Sequence, residues 1–128
     1  MTTRRVLLAA AVWMLFISPL TAADKAVFSP EAFAAAQSAG APILVHVNAP
    51  WCPTCRAQLP ILEKLEGAPK FAKLKVFSVD FDTRKDVLRA LKANSQSTLI
   101  VFKGKTEVGR SVGETDAAAI AALLDKAL

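Results

Sequence analysis

The sequence has few of the residues from which metal sites and cross-linked scaffolds are built, with only two cysteines and one histidine among its 128 residues. Two cysteines cannot form a disulfide-dense scaffold, and two cysteines with one histidine fall short of the four ligands of a structural zinc site. Charged residues of both signs are interspersed without a basic run, so we expect no nucleic-acid partner. The chain is 53% hydrophobic, which is enough for the core of one domain.

The first 23 residues have the layout of a secretory signal. Two arginines, Arg4 and Arg5, precede an unbroken apolar run of twelve residues, 6–17, and small residues lead up to Ala23. A membrane-spanning helix needs about 20 apolar residues, more than this run contains. We therefore expect residues 1–23 to be a cleaved signal peptide, with an uncleaved anchor as the alternative, and residues 24–128 to be periplasmic or otherwise exported and soluble after cleavage.

Turn residues and apolar spacing after residue 23 predict helices that alternate with strands. Ser29 and Pro30 have the character of a helix cap and a first helical residue, and Gly104 turns the last two strands into a hairpin. Strands joined through helices favour parallel pairing, so we expect an α/β fold whose final hairpin adds an antiparallel edge. The predicted helices cover residues 30–38 and 53–65, a segment from a cap at Asp82 or Thr83 to Ala93, and a segment after a cap at Thr115; the predicted strands cover residues 43–47, 76–81, 99–102 and 107–112.

The candidate chemistry is concentrated in the motif Trp51-Cys52-Pro53-Thr54-Cys55, which follows a predicted strand and opens a predicted helix. The amides and dipole at a helix N-terminus favour a thiolate at Cys52. Cys55 lies one turn further on, so we expect it to be more buried and to resolve a mixed disulfide formed at Cys52. A structural disulfide between residues so close in sequence would restrict the unfolded chain little. Redox chemistry is therefore preferred to structural bridging and to metal binding.

These motifs resemble the thioredoxin superfamily. The resemblance covers residues 24–128, and it includes the strand before residues 49–55, Pro60 five residues after Cys55, the strand at residues 98–103, and Gly113 before the last helix. It implies a thioredoxin-like domain with a central mixed sheet flanked by helices. The Cys-Pro-Thr-Cys tetrapeptide is also similar to that of exported thioredoxin-like reductases of cytochrome c maturation, although the central insertion of those proteins is absent.

The resemblance implies an extracytoplasmic thiol:disulfide oxidoreductase that reduces protein disulfides with Cys52 as nucleophile and Cys55 as resolving thiol. Pro50 and Trp51 would form an apolar rim for the substrate protein. The expected partners are disulfide-containing proteins and a membrane thiol-electron transporter, with no cofactor and no resident metal. The direction of the reaction, reductase or oxidase, stays open at this stage.

His46 and Asn48 depart from the family's pattern in the strand before the motif. His46 stands where thioredoxins have a buried aspartate beneath the second cysteine. Its imidazole could relay a proton at Cys55 near neutral pH, or it could be a packed core residue, and both interpretations remain open. Asn48 replaces a frequent aromatic residue, which makes this wall of the site more polar.

Ser97 is the largest departure, because it stands where the family has a cis-proline facing the active site. A cis bond before a non-proline residue costs roughly 3–4 kcal/mol, so we expect a trans Gln96–Ser97 bond and a more open loop opposite the cysteines. In the family the preceding residue pairs with the substrate chain, which makes Gln96 and Ser97 candidate substrate-binding residues. Loss of the proline also raises an alternative function, a carrier of a soft metal such as Cu(I) held by Cys52 and Cys55. Ser97 could equally be a tolerated loop variant, and this interpretation remains open.

Overall fold

The computed structural model describes residues 22–128, so the predicted signal peptide lies outside the described residues apart from Ala22 and Ala23. No helix within residues 22–128 is both long enough and apolar enough to cross a bilayer. The described chain forms, in order, β1 (Asp24–Val27), α1 (Pro30–Ser38), β2 (Pro42–Asn48), α2 (Pro53–Glu66), a short 3-10 turn (Pro69–Phe71), β3 (Lys75–Asp80), α3 (Lys85–Leu91), β4 (Thr98–Lys103), β5 (Thr106–Val112) and α4 (Ala117–Asp125).

The five strands form one mixed sheet in the order β1-β3-β2-β4-β5, flanked by the four helices, which confirms the expected fold class. β1 and β2 run parallel to β3, whereas β4 runs antiparallel to both β2 and β5. The expectation that β4 would run parallel to the strands before it is wrong. The register with β2 shows the direction, since Pro42 lies opposite Lys103 and Val47 opposite Thr98, so β4 runs back along β2.

Strand β1 was not predicted, because its four residues are all exposed and show no alternating pattern. It adds to the edge of the sheet through backbone pairing with β3, from Asp24 opposite Lys75 to Val27 opposite Ser78. Its place in the sheet therefore comes from the neighbouring strand and not from its own side chains.

Two predicted helix caps are wrong. The carboxylate of Asp80 accepts the amides of Asp82 and Thr83, so these residues form a turn and α3 begins only after Arg84, ending at Leu91 rather than at Ala93. Helix α4 is capped by Asp116 and not by Thr115, because the Asp116 carboxylate reaches the amide of Ala119. The predicted cap at Ser29 is confirmed, since its hydroxyl accepts from the amide of Ala32.

The sheet separates two core layers. The layer under α1 and α3 contains four packed phenylalanines, and the layer under α2 and α4 is built largely of leucines. Side chains alternate along β2, so one face of this strand presents Ile43, Val45 and Val47, while the other begins with Leu44 and continues with His46 and Asn48. The second face leads to the carboxyl end of β2, where the cysteine motif starts.

A buried dithiol at the start of helix α2

Cys52 is the N-cap of α2, as predicted. Its backbone is extended, its sulfur accepts the amide of Cys55 at 3.1 Å, and Pro53 occupies the first helical position. Both cysteines are free thiols, and only 2% of Cys52 and 1% of Cys55 is exposed. Cys52 is therefore not markedly more exposed than Cys55, contrary to expectation, because the loop before β4 covers the pair.

Ser97 is the residue of that loop which touches both sulfurs. Its Oγ lies 3.2 Å from Cys52 Sγ and 3.1 Å from Cys55 Sγ, and the residue is 3% exposed. Residues 22–128 contain no cis peptide bond, so the Gln96–Ser97 bond is trans as predicted. The expected open loop is wrong: the carbonyl of Ser97 accepts from the amide of Gly113 and the side chain of Gln58, which hold the loop against the thiols.

The environments of the two sulfurs shift their pKa values in opposite directions. Burial raises the pKa of Cys52, but hydrogen bonds from the Cys55 thiol, the Ser97 hydroxyl and nearby amides outweigh it and bring that pKa below its usual range. Burial and the neighbouring Cys52 sulfur raise the pKa of Cys55. Cys52 is thus the sulfur that ionises first, while Cys55 keeps its proton, an arrangement suited to a nucleophile and a reserve thiol.

His46 belongs to a buried polar network that reaches the site through Gln58. Asn48 donates to His46 Nδ1 at 3.4 Å and to Ser78 Oγ at 3.0 Å. His46 Nδ1 is thus an acceptor, so Nε2 carries the proton and donates to Gln58 Oε1 at 3.2 Å. Gln58 in turn donates to the carbonyls of Ser97 and Glu114 at 3.2 and 2.9 Å.

The neutral form of His46 suits this network. Burial lowers the pKa of His46 to about 4, despite an opposing contribution from its bond to Gln58. Both ring nitrogens are directed to side-chain amides and not to a sulfur. The proton-relay role at Cys55 stays a prediction, but a group with this pKa does not change charge near pH 6 to 7.

Trp51 and Pro50 form the exposed edge of the site. Trp51 is 54% exposed, and its indole Nε1 donates to Asp82 Oδ2 at 2.8 Å, which fixes the orientation of the ring. Pro50 is exposed and borders a cleft of about 240 Å³ beside Cys55 that Arg56 also lines. Substrate binding by these two residues stays a prediction.

Gln96 is half-buried next to Ser97. Its carbonyl accepts from the hydroxyl of Ser95 at 2.9 Å, so one acceptor position of that group is already used. Pairing of Gln96 with a substrate chain stays a prediction.

Sequence reasoning missed Gln58 and Asp82. Gln58 had a detectable signal, because it lies three residues after Cys55 and four before Leu62, on the face of α2 that is buried. A glutamine on that face, 0% exposed, needs polar partners inside the protein. Asp82 had no local signal, because its partner Trp51 is 31 residues away in the sequence.

The described residues give little support for a metal centre. No group of three or more His, Cys, Asp or Glu side chains within residues 22–128 is arranged to hold an ion. Cys52 and Cys55 offer two thiols, and the ring nitrogens of His46 are engaged with Gln58 and Asn48. A soft metal carried by this site would be held by the two thiolates of Cys52 and Cys55, which stays a prediction.

Comparisons with known proteins agree with this geometry. The family model for thioredoxin matches residues 24–126. The thioredoxin of Chlamydia trachomatis is 34% identical over 100 residues, which cover 78% of this chain and 95% of its own. The crystal structure of Trxlp from Edwardsiella tarda superposes with a TM-score of 0.77 at 42% identity, covering 79% of this chain and 98% of that one. A Malassezia sympodialis thioredoxin has a TM-score of 0.72 at 20% identity, covering 82% and 90%, and shares the fold.

Proposed function

The chain belongs to the thioredoxin family and is a disulfide oxidoreductase with a close cysteine pair, and from this premise we propose that it reduces disulfide bonds of proteins outside the cytoplasm. The observation that carries the proposal is a pair of free thiols at one helix start, where Cys52 caps the helix and its sulfur accepts the amide of Cys55 at 3.1 Å. This geometry favours ionisation of Cys52, in agreement with the lowered pKa of Cys52 and the raised pKa of Cys55. A single ionised sulfur next to a protonated one is the resting state that a two-step exchange requires.

In the first step the Cys52 thiolate attacks a substrate disulfide, forms a mixed disulfide and releases one substrate thiolate. In the second step Cys55 loses its proton and attacks Cys52 Sγ, which forms the Cys52–Cys55 disulfide and releases the second substrate sulfur. Two electrons pass from the protein to the substrate. The exposed ring of Trp51, held by Asp82, and the neighbouring Pro50 provide the apolar surface for docking.

Each cycle leaves the protein oxidised, so a reductase needs an electron donor. The N-terminal layout of residues 1–23 supports an exported protein, for which a membrane thiol-electron transporter is the proposed donor. The reduction potential of the pair tests the direction of the reaction: a value near about −270 mV supports a reductase, and one near about −120 mV makes the protein an oxidant instead.

Trapping tests the roles of the two cysteines. We expect Cys55→Ser to accumulate mixed disulfides with proteins of its own compartment, because the resolving thiol is missing, and the matched variant Cys52→Ser to accumulate none. Non-reducing electrophoresis followed by mass spectrometry detects the adducts. If neither variant traps a protein, the reductase proposal fails, and stoichiometric copper in protein purified under reducing conditions would then establish the soft-metal carrier.

Export is tested separately by fractionation of the native cell and by sequencing the N-terminus of the mature protein. We expect the protein in the extracytoplasmic fraction with Asp24 as its first residue. A mature protein that begins at Met1 and stays in the cytoplasmic fraction would refute the proposed location while leaving the thiol chemistry intact.

A further inference from the structure

Ser97 combines three observations that a tolerated loop residue would not need. Its hydroxyl is buried, it lies within 3.2 Å of both cysteine sulfurs, and its φ of 59° places it in the left-handed region. L-residues other than asparagine and aspartate rarely adopt that region, because the side chain crowds the backbone. Strained conformations of this kind persist where the surroundings enforce them and cluster at functional sites.

The surroundings that enforce it come from two other parts of the fold. The carbonyl of Ser97 accepts from the amide of Gly113, after β5, and from the side chain of Gln58 on α2. Gln58 is itself held by His46 and by the carbonyl of Glu114. The polar network under α2 thus ends at Ser97 and fixes the position from which its hydroxyl meets the sulfurs.

The hydroxyl's partners identify what it does. A buried hydroxyl must recover the hydrogen bonds it loses on leaving water, and within residues 22–128 those of Ser97 are both to sulfur. Neutral thiols are weak donors and acceptors, whereas a hydrogen bond to an ionised group is roughly twice as strong as a neutral one. The hydrogen bonds to water that the Ser97 hydroxyl loses on burial are therefore best replaced when one of the two sulfurs is a thiolate.

We propose that Ser97 is a catalytic residue of the proposed exchange reaction, whose hydroxyl donates its hydrogen to whichever of the two cysteine sulfurs is ionised. In the reduced protein the Ser97 hydroxyl and the Cys55 thiol both donate to the Cys52 thiolate. Once Cys52 is in the mixed disulfide, the Cys55 proton passes to the substrate thiolate released in the first step, and the Ser97 hydroxyl turns to the Cys55 thiolate. That thiolate then attacks Cys52 Sγ and the bond to the substrate sulfur breaks.

This proposal deepens the proposed function and rests on it, so the test uses a small disulfide that separates the two steps. Reduced protein is mixed with dithiobis-nitrobenzoate in a stopped-flow instrument. Attack by Cys52 releases one coloured thiolate, and resolution by Cys55 releases the second. The ultraviolet absorbance of the protein thiolate, followed against pH, gives the pKa of Cys52 independently. If the wild-type protein lacks the second release, the proposed function fails and not the role of Ser97 alone.

Two substitutions at position 97 distinguish the effect of the hydroxyl from the effect of the left-handed backbone conformation. Ser97→Ala removes the hydroxyl and keeps the side-chain crowding at positive φ, whereas Ser97→Gly removes the hydroxyl and relieves the crowding. Thr98→Val is the matched control, since Thr98 is a buried neighbour whose hydroxyl donates to the carbonyl of Ser95 and not to sulfur.

We expect both Ser97 variants to slow each release about ten-fold and to raise the pKa of Cys52, as loss of a hydrogen bond to a charged group predicts. Thr98→Val is expected to change neither quantity. Unchanged rates and pKa in both Ser97 variants would overturn the proposal. So would an effect in Ser97→Ala that is absent in Ser97→Gly, or an equal effect in Thr98→Val, because each of these results assigns the effect to loop geometry.

Discussion

On one face of β2 the side chains of Ile43, Val45 and Val47 enter a layer of apolar residues, whereas on the other face Leu44 is followed by His46 and Asn48. The apolar layer is held by packing, which is strong but has little directional preference. The polar network that begins at His46 is directional, since each donor meets one acceptor at a set distance. The first face supplies stability, and the second specifies where the loop carrying Ser97 lies relative to the cysteines.

The largest change in unfolding free energy is expected from a substitution in the layer on the apolar face of β2. Phe77 is 4% exposed and packs edge-on against Phe28 and Phe33, so Phe77→Ala is expected to lower the free energy of unfolding by about 3–5 kcal/mol. The pKa of Cys52 is expected to stay the same, because Phe77 packs among the phenylalanines of this layer and is not part of the cluster that contains the two cysteines. Urea denaturation and thiolate titration measure the two quantities.

The matched control for that experiment is Val27→Ala, since Val27 is 76% exposed and its truncation is expected to change the unfolding free energy by less than about 0.5 kcal/mol. A shift in the pKa of Cys52 in the folded Phe77 variant would contradict the conclusion that the apolar face of β2 stabilises the fold without affecting the cysteines.

The next largest effect is the response of the polar face to acid. Burial lowers the pKa of His46 to about 4, whereas an unperturbed histidine has a pKa of about 6.5, so between these values the unfolded state binds more protons than the folded state. The stabilising contribution is complete above pH 6.5 and is lost as the pH falls toward 4, by roughly 3 kcal/mol in total.

Denaturation curves measured between about pH 4 and 6.5 check this dependence of the unfolding free energy on pH. The control is His46→Leu, which has no imidazole to titrate and is expected to lose the His46 part of the acid destabilisation. If the variant keeps the full wild-type slope, the charge of His46 is not what couples this face to pH.

Gln58→Leu tests the network at its centre, with a smaller expected effect. The substitution leaves the Nε2–H of His46 and the carbonyl of Glu114 without their partner, while the carbonyl of Ser97 keeps its bond to Gly113. We expect a loss of about 2 kcal/mol in unfolding free energy together with a changed pKa of Cys52, since the loop is less firmly held.

The half-buried Gln37 on α1 offers the matched control, Gln37→Leu, for which we expect no change in the pKa of Cys52. If Gln58→Leu lowers stability but leaves that pKa unchanged, the network supports the fold without positioning Ser97. The combined readout therefore distinguishes a positioning role from a purely structural one.

The sequence allowed the apolar features of this molecule to be predicted and missed most of the directional ones. The buried strand β2, the cysteine at the start of α2 and the final hairpin follow from apolar runs, caps and turn residues that act locally. The contact between Ser97 and the sulfurs depends on a loop that closes across more than 40 residues of sequence. Likewise, the direction of β4 depends on its antiparallel pairing with β2, which lies more than 50 residues earlier in the sequence.

The smallest effect is expected at Glu66, the buried last residue of α2. Burial raises the pKa of Glu66, while the ion pair with Lys25 at 3.3 Å opposes the shift. The pKa of Glu66 is higher in the folded state than in the unfolded state, so the protonated carboxyl stabilises the fold at low pH. This stabilisation is lost as the pH rises through the folded pKa, whereas the stabilisation by His46 is lost as the pH falls. Glu66→Gln removes the titration and the partly exposed ion pair, which is worth little.

We therefore expect Glu66→Gln to change the unfolding free energy at neutral pH by less than about 1 kcal/mol. We also expect it to steepen the rise of stability with pH, because the contribution of His46 is then unopposed. Asp125→Asn is the matched control, since it removes the exposed ion pair between Asp125 on α4 and Lys70 and is expected to leave the profile unchanged. A flatter profile in Glu66→Gln would show that the Lys25 pair, and not burial, controls this carboxyl. The acid response would then no longer be confined to the network on the polar face of β2.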